Sequence, residues 1–158
     1  MKVLRVVMLA LAVMLPPPVI AQDKGGDTNM EILRQKIKAD KKLVVAANMQ
    51  LTEAEAKKFW PIYEAYQNDL EKLNQRLGKL IVEYAAVYNK GSVPDATAKK
   101  LLNESLAIEE AELKMKRSYV PKLEKAVSEM KAARYIQIEN KIRAIIRYEL
   151  AAQVPLVE

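Results

Sequence analysis

From Phe59 the apolar residues of this chain recur at alternating steps of four and three: Phe59, Tyr63, Tyr66, Leu70, Leu73, Leu77, Leu80, Tyr84 and Val87. Steps of four and three keep side chains on one stripe of a helix, and a stripe this long must be covered by another helix. The seam therefore predicts an all-α fold. It carries no information about chemistry, which has to be read from other residues.

The ends of the seam are marked. Thr52 followed three residues later by Glu55 forms a capping box, with Leu51 ahead of it as a hydrophobic staple. Asn89-Lys90-Gly91-Ser92 supplies a stop. The enclosed helix would be about 55 Å long at about 1.5 Å per residue. Ile32, Leu33, Ile37, Leu43 and Val44 give an earlier helix, from about Met30 to Ala47, its apolar side. Pro94 and Asp95 open a third, with Leu101, Leu102, Leu106, Ile108, Leu113, Met115, Tyr119, Val120 and Leu123 on a broad face. Ser128 caps a fourth that runs to about Ala152, with Tyr135, Ile138, Ile142, Ile145, Ile146 and Leu150 as its inner side.

Pro61 and Pro121 each lie thirty residues from Gly91, on opposite sides of it. In an antiparallel hairpin they sit at one level, and both long helices are expected to bend there. The alternative is that one proline ends a helix. The first and fourth helices are shorter and return along the proline-bearing end. A four-helix core is expected at that end, with Leu77, Leu80, Ile81, Tyr84, Val87, Leu101, Leu102 and Leu106 only partly covered at the tip. An apolar stripe of that size calls for a partner, and the expectation is a homodimer of hairpins side by side.

The first 21 residues read as a cleavable export signal. Lys2 and Arg5 are its basic region, Val6 to Leu15 its apolar region, and Val19-Ile20-Ala21 its cleavage site. Ten apolar residues are too few for a bilayer that needs about 20, so no stable membrane insertion is expected. Residues 22–29 would form a flexible tail, 30–152 a single helical domain and 153–158 a C-terminal tail. The destination would be the periplasm of a two-membrane cell. The chain has no cysteine, so helix packing alone must supply the core.

The leader takes two of the 26 basic residues and none of the 20 acidic ones, so its removal lowers the net charge from +6 to +4. Between Leu113 and Arg147 the basic residues are Lys114, Lys116, Arg117, Lys122, Lys125, Lys131, Arg134, Lys141, Arg143 and Arg147, against Glu124, Glu129 and Glu139. Such polarity steers acidic or unfolded partners over a distance; an ordinary solvated helix face is the other reading.

Chemistry is narrowed by what is missing. With no histidine and no cysteine, Ser-His-Asp and Cys-His catalysis, ordinary zinc sites and Glu-x-x-His di-iron sites have no ligands. No glycine loop can cradle phosphate, and no nucleic-acid-reading motif accompanies the positive charge. Glu109, Glu110 and Glu112 could hold calcium or magnesium only if they converged, whereas neighbours on a helix diverge and can pair with Lys116 instead. No enzyme activity, cofactor, metal or nucleic-acid partner is expected.

The stretch from Met49 to Tyr63, MQLTEAEAKKFWPIY, resembles the start of the long helix in the Spy and CpxP group of exported helical proteins, the LTxxQ family, with Leu51, Thr52 and Glu55 at motif positions. Glu55 stands where the pattern has Gln. Together with the closing segment Lys131 to Glu139, the likeness covers about residues 30–152. It implies an ATP-independent periplasmic chaperone or envelope-stress protein: a cradle-like homodimer that holds unfolded or misfolded envelope proteins on a basic, partly apolar face. The client-binding candidates are Lys114, Arg117, Lys122, Lys125, Lys131, Arg134, Arg143 and Arg147, and the tip residues Leu77, Leu80, Ile81, Tyr84, Leu101 and Leu102 would meet the second copy. An adaptor or sensor for one specific envelope signalling partner is the alternative.

Overall fold

The computed structural model describes residues 39–157. The export signal, the tail and the beginning of the first helix lie outside the described residues. Within them the chain is four helices and their connections: α1 (residues 39–49), α2 (Glu53–Tyr88), α3 (Asp95–Ala126) and α4 (Glu129–Gln153). There is no strand among the described residues, and the all-α class expected from the seam is what the chain adopts.

Each boundary has a local cause. Asn48 donates from its side-chain amide to the Val44 carbonyl at 2.8 Å and closes α1. Gln50 then takes a left-handed backbone, φ 48°, which reverses the chain ahead of α2. At Thr52 the capping box is complete: the Glu55 N–H donates to Thr52 Oγ1 and the Thr52 N–H donates to Glu55 Oε2 at 2.8 Å. The turn between α2 and α3 uses Gly91 at φ +100°, a conformation that a side chain would oppose. The Pro94 carbonyl accepts the first two bonds of α3, from Thr97 and Ala98. Ser128 caps α4 by accepting from the Lys131 N–H.

Both prolines lie inside helices, Pro61 in α2 and Pro121 in α3. Neither ends its helix, which removes the alternative reading of the pair. Both face solvent, where water can serve the carbonyls of Lys57 and Arg117 that lack a helical N–H partner.

The main core sits at the proline-bearing end. Phe59, Tyr63 and Tyr66 of α2, Tyr119 and Leu123 of α3, Tyr135 and Ala132 of α4, and Val45 and Met49 of α1 are all buried there. The rings meet edge to face, with centroids 5.2 Å apart for Phe59 and Tyr135, 5.2 Å for Tyr66 and Tyr119, and 5.5 Å for Tyr66 and Tyr135. Such pairs contribute about 0.5–1.5 kcal/mol each beyond their area.

Two expectations are corrected. The inner side of α4 is only in part the expected apolar row: Tyr135 is buried and Ile138 and Leu150 pack on the apolar clusters, but Ala132, Glu139 and Arg143 are buried as well, while Ile145 is 65% exposed. Glu139 and Arg143 on that face are paired with Lys41 of α1 and Glu112 of α3. Nor does α4 stop at the proline-bearing end. Its last turn reaches the tip, where Leu150 and Val154 pack with Leu77 on Ile81. Twenty-five residues at about 1.5 Å each are long enough to carry α4 there. Ile81 and Leu101 are therefore buried within one chain, whereas Leu102 and Leu106 stay 59% and 55% exposed.

Candidate functional site

A polar seam crosses the middle of the bundle and draws one side chain or more from every helix. Arg143 of α4 donates from Nε and Nη2 to Glu112 Oε2 of α3, at 3.0 and 2.7 Å. Its Nη1 donates to Asn74 Oδ1 of α2 at 2.7 Å. Lys116 Nζ lies 2.8 Å from the other Glu112 oxygen. One turn away, Glu139 of α4 accepts from Lys41 of α1 at 2.8 Å and from Gln67 of α2 at 2.9 Å. Glu112 and Glu139 are each 2% exposed and Arg143 is 7% exposed.

Burial pushes the Glu112 carboxyl up, but the Lys116 ammonium 2.8 Å away and the Arg143 guanidinium outweigh it and hold the group below the usual carboxylate range. Glu112 therefore stays ionised near neutral pH. The partners named here come from all four described helices, so the seam ties them to one another.

The eight basic candidates divide accordingly. Arg143 is a correction: it is inside the seam and is no part of a solvent-facing surface. Arg147 lies 3.4 Å from Glu112 and 4.0 Å from Glu109. Lys131 clamps the α1–α2 turn, donating to the Gln50 carbonyl at 2.9 Å and to Glu55 at 2.6 Å. That hydrogen bond and the one from the Thr52 backbone lower the Glu55 pKa. The motif residues are thus a structural unit, with Leu51 packed on the aromatic core and Thr52 and Glu55 holding the helix start.

Lys114, Arg117, Lys122 and Lys125 remain exposed on α3, none with a carboxylate in ion-pair range among the described residues. Lys122 stands over the Tyr119 ring, 4.2 Å from its centroid. Arg134 is half-buried. Ahead of these cations on the same helix stand three exposed leucines, Leu102, Leu106 and Leu113. Spaced by four and seven residues at about 100° each, they fall within roughly 40° of one another, and Arg117 continues their line.

At the tip the six residues singled out from the sequence do come together. Leu77, Leu80, Ile81 and Tyr84 of α2 and Leu101 and Leu102 of α3 line an open cavity of about 400 Å³, which Leu150, Val154 and the residues after them complete. Leu102 belongs both to this groove and to the exposed leucine stripe, so the two are continuous.

Sequence reasoning missed the seam. Its signal was present: Glu112 lies four residues after Ile108, and Glu139 and Arg143 follow Tyr135 at steps of four, charges at positions a core helix ordinarily fills with apolar side chains. Among the described residues no group of three acidic, histidine or cysteine side chains stands together as a metal site, so Glu109, Glu110 and Glu112 do not converge. No described helix is long and apolar enough to cross a membrane.

No protein-family model, curated protein or solved structure matches this chain.

Proposed function

We propose that the protein is a non-enzymatic, ATP-independent holdase of the LTxxQ type, exported to the periplasm, that captures unfolded polypeptides on the outer face of α3. One observation carries this reading: a line of exposed leucines, Leu102, Leu106 and Leu113, leads to Arg117 on the same helix, where Lys114, Arg117, Lys122 and Lys125 are exposed with no described carboxylate in ion-pair range. Charge draws an acidic or unfolded chain in from a distance, and its effect weakens with salt. Shallow leucine contacts then hold it without burying enough surface for tight binding. No covalent step, nucleotide or metal is required.

The same stripe supports a homodimer in which, without client, Leu102 and Leu106 of two hairpins cover one another, so that a client and the second copy compete for it. Light scattering at micromolar concentration would give twice the chain mass; the monomer mass alone would refute the pairing. The holdase is tested by diluting several unrelated, chemically denatured proteins into buffer with the protein and no nucleotide. Suppressed aggregation near equimolar ratio is the expected result. Unchanged aggregation of every client would instead favour an adaptor for one specific envelope partner.

A further inference from the structure

Beyond Gln153 the helical hydrogen-bonding stops. The Val154 N–H makes the last bond, to the Leu150 carbonyl at 2.9 Å, and Val154 itself is extended at φ −85° and ψ 114°. Pro155 cannot continue a helix. Residues 154–157 border the tip groove: Val154 packs on Ile81, and the Tyr84 phenol of α2 donates to the Pro155 carbonyl at 3.0 Å.

This is a mode of peptide recognition built inside one chain. A main-chain carbonyl is held by a fixed donor, and an apolar side chain is held by an apolar wall. A donor that reads only the backbone tolerates any sequence, and leucine walls select only for apolar character. The seat is also incompletely filled. Leu156 is 85% exposed, and a cavity of about 400 Å³ stays open beside the segment, walled by Leu77, Leu80, Leu101 and Leu102.

We infer that the tip groove is a binding seat for extended apolar polypeptide segments, and that Val154 with the Pro155 carbonyl partly fills it as a tethered stand-in which an incoming segment displaces. The inference rests on the client-binding reading above and deepens it: the α3 face makes first contact, and the groove continuous with it through Leu102 takes the apolar segment. A tethered occupant competes at an effective concentration of the order of millimolar, so the seat admits only segments presented locally, as by a client already held on α3.

The test uses a fluorescein-labelled, acetylated Ala-Gln-Val-Pro-Leu-Val amide and the full chain carrying Val154→Gly and Pro155→Gly, which deletes the Ile81 contact and frees the segment. The released variant is expected to bind the peptide about tenfold or more tightly than the wild type. Adding Tyr84→Phe should weaken that binding severalfold, and a peptide with Asp in place of Val and Leu should not bind. Trp60, in the core at the other end of the bundle, reports by its emission whether the variant is folded.

Equal affinity for wild type and released variant, or no binding to either, would overturn the inference. So would a released variant with twice the mass of the wild type, because a further copy would then be the groove's occupant. If the variant does not fold, millimolar peptide added to the wild type should shift the Val154 and Leu156 methyl resonances saturably; unmoved resonances refute displacement. Aggregation assays on the wild type separate the two ideas. Suppression without peptide binding removes the seat alone, and peptide binding without suppression removes the general holdase while the seat stands.

Discussion

Arg143 and Glu112 meet through two hydrogen bonds to a single carboxylate oxygen, at 3.0 and 2.7 Å, with both side chains inside the bundle. This pair ties α4 to α3 at mid-length, between the aromatic core at one end and the Leu150–Ile81 contact at the other. Replacing Arg143 with Ala strands a buried carboxylate with only Lys116 and the half-exposed Arg147 beside it. Urea denaturation should show a loss of about 3 kcal/mol. The double variant Glu112→Leu with Arg143→Leu should recover most of it, since an apolar pair of similar volume needs no desolvated charge. A double variant as unstable as the single one would contradict the assignment.

Acid should weaken the fold through the same carboxylate. Glu112, Asp69 and Glu55 all have folded-state pKa values below their ordinary ones. The unfolded chain therefore takes up protons first, and stability falls as pH drops from about 4.5, the ordinary Glu value. Glu112→Gln should flatten the slope of melting temperature against pH between neutrality and pH 3. An unchanged slope would remove Glu112 from the account.

Two buried tyrosines should respond oppositely to loss of the hydroxyl. Tyr119 donates to Asp69 at 2.7 Å, and Tyr119→Phe should cost about 1 kcal/mol. The Tyr66 hydroxyl is buried with no hydrogen-bond partner among the described residues, so Tyr66→Phe should leave stability unchanged or raise it. Burial, and then the bond to Asp69, push the Tyr119 phenol up to about 12. Its contribution is therefore complete below pH 10 and disappears as pH rises toward 12, which an alkaline melting series on wild type and Tyr119→Phe can read.

Capping of α2 is a local matter with a local test. Thr52→Ala removes the acceptor for the Glu55 N–H and should cost about 1 kcal/mol in thermal or urea denaturation. Lys131→Met should lower stability as well, because the Gln50 carbonyl and Glu55 lose their shared donor.

How far the sequence reached depends on what kind of interaction fixed each part. The α2 seam, the Thr52 cap, the Gly91 turn and the Ser128 cap are local signals, and each lies where spacing and capping chemistry put it. The facing of α4 was legible only in part, at Tyr135, Ile138 and Leu150. Its isoleucines offer an apolar stripe, but Glu139 and Arg143 find Lys41, Gln67, Asn74 and Glu112 only once distant segments have packed. Arg143 entered the surface candidates for the same reason: a sequence reports charge and leaves its burial unstated. The six tip residues were legible as a group, whereas the α4 turn that covers part of them was not.

Capture on the α3 face is the central claim, and photocrosslinking reads it residue by residue. A benzophenone amino acid placed at Leu106, at Arg117, or at the exposed Ala65 of α2 would be irradiated with a denatured, aggregation-prone client. Client adducts are expected from positions 106 and 117, reduced by high salt at 117, with little labelling from position 65. Equal labelling from all three positions, or adducts from position 65 alone, would contradict it.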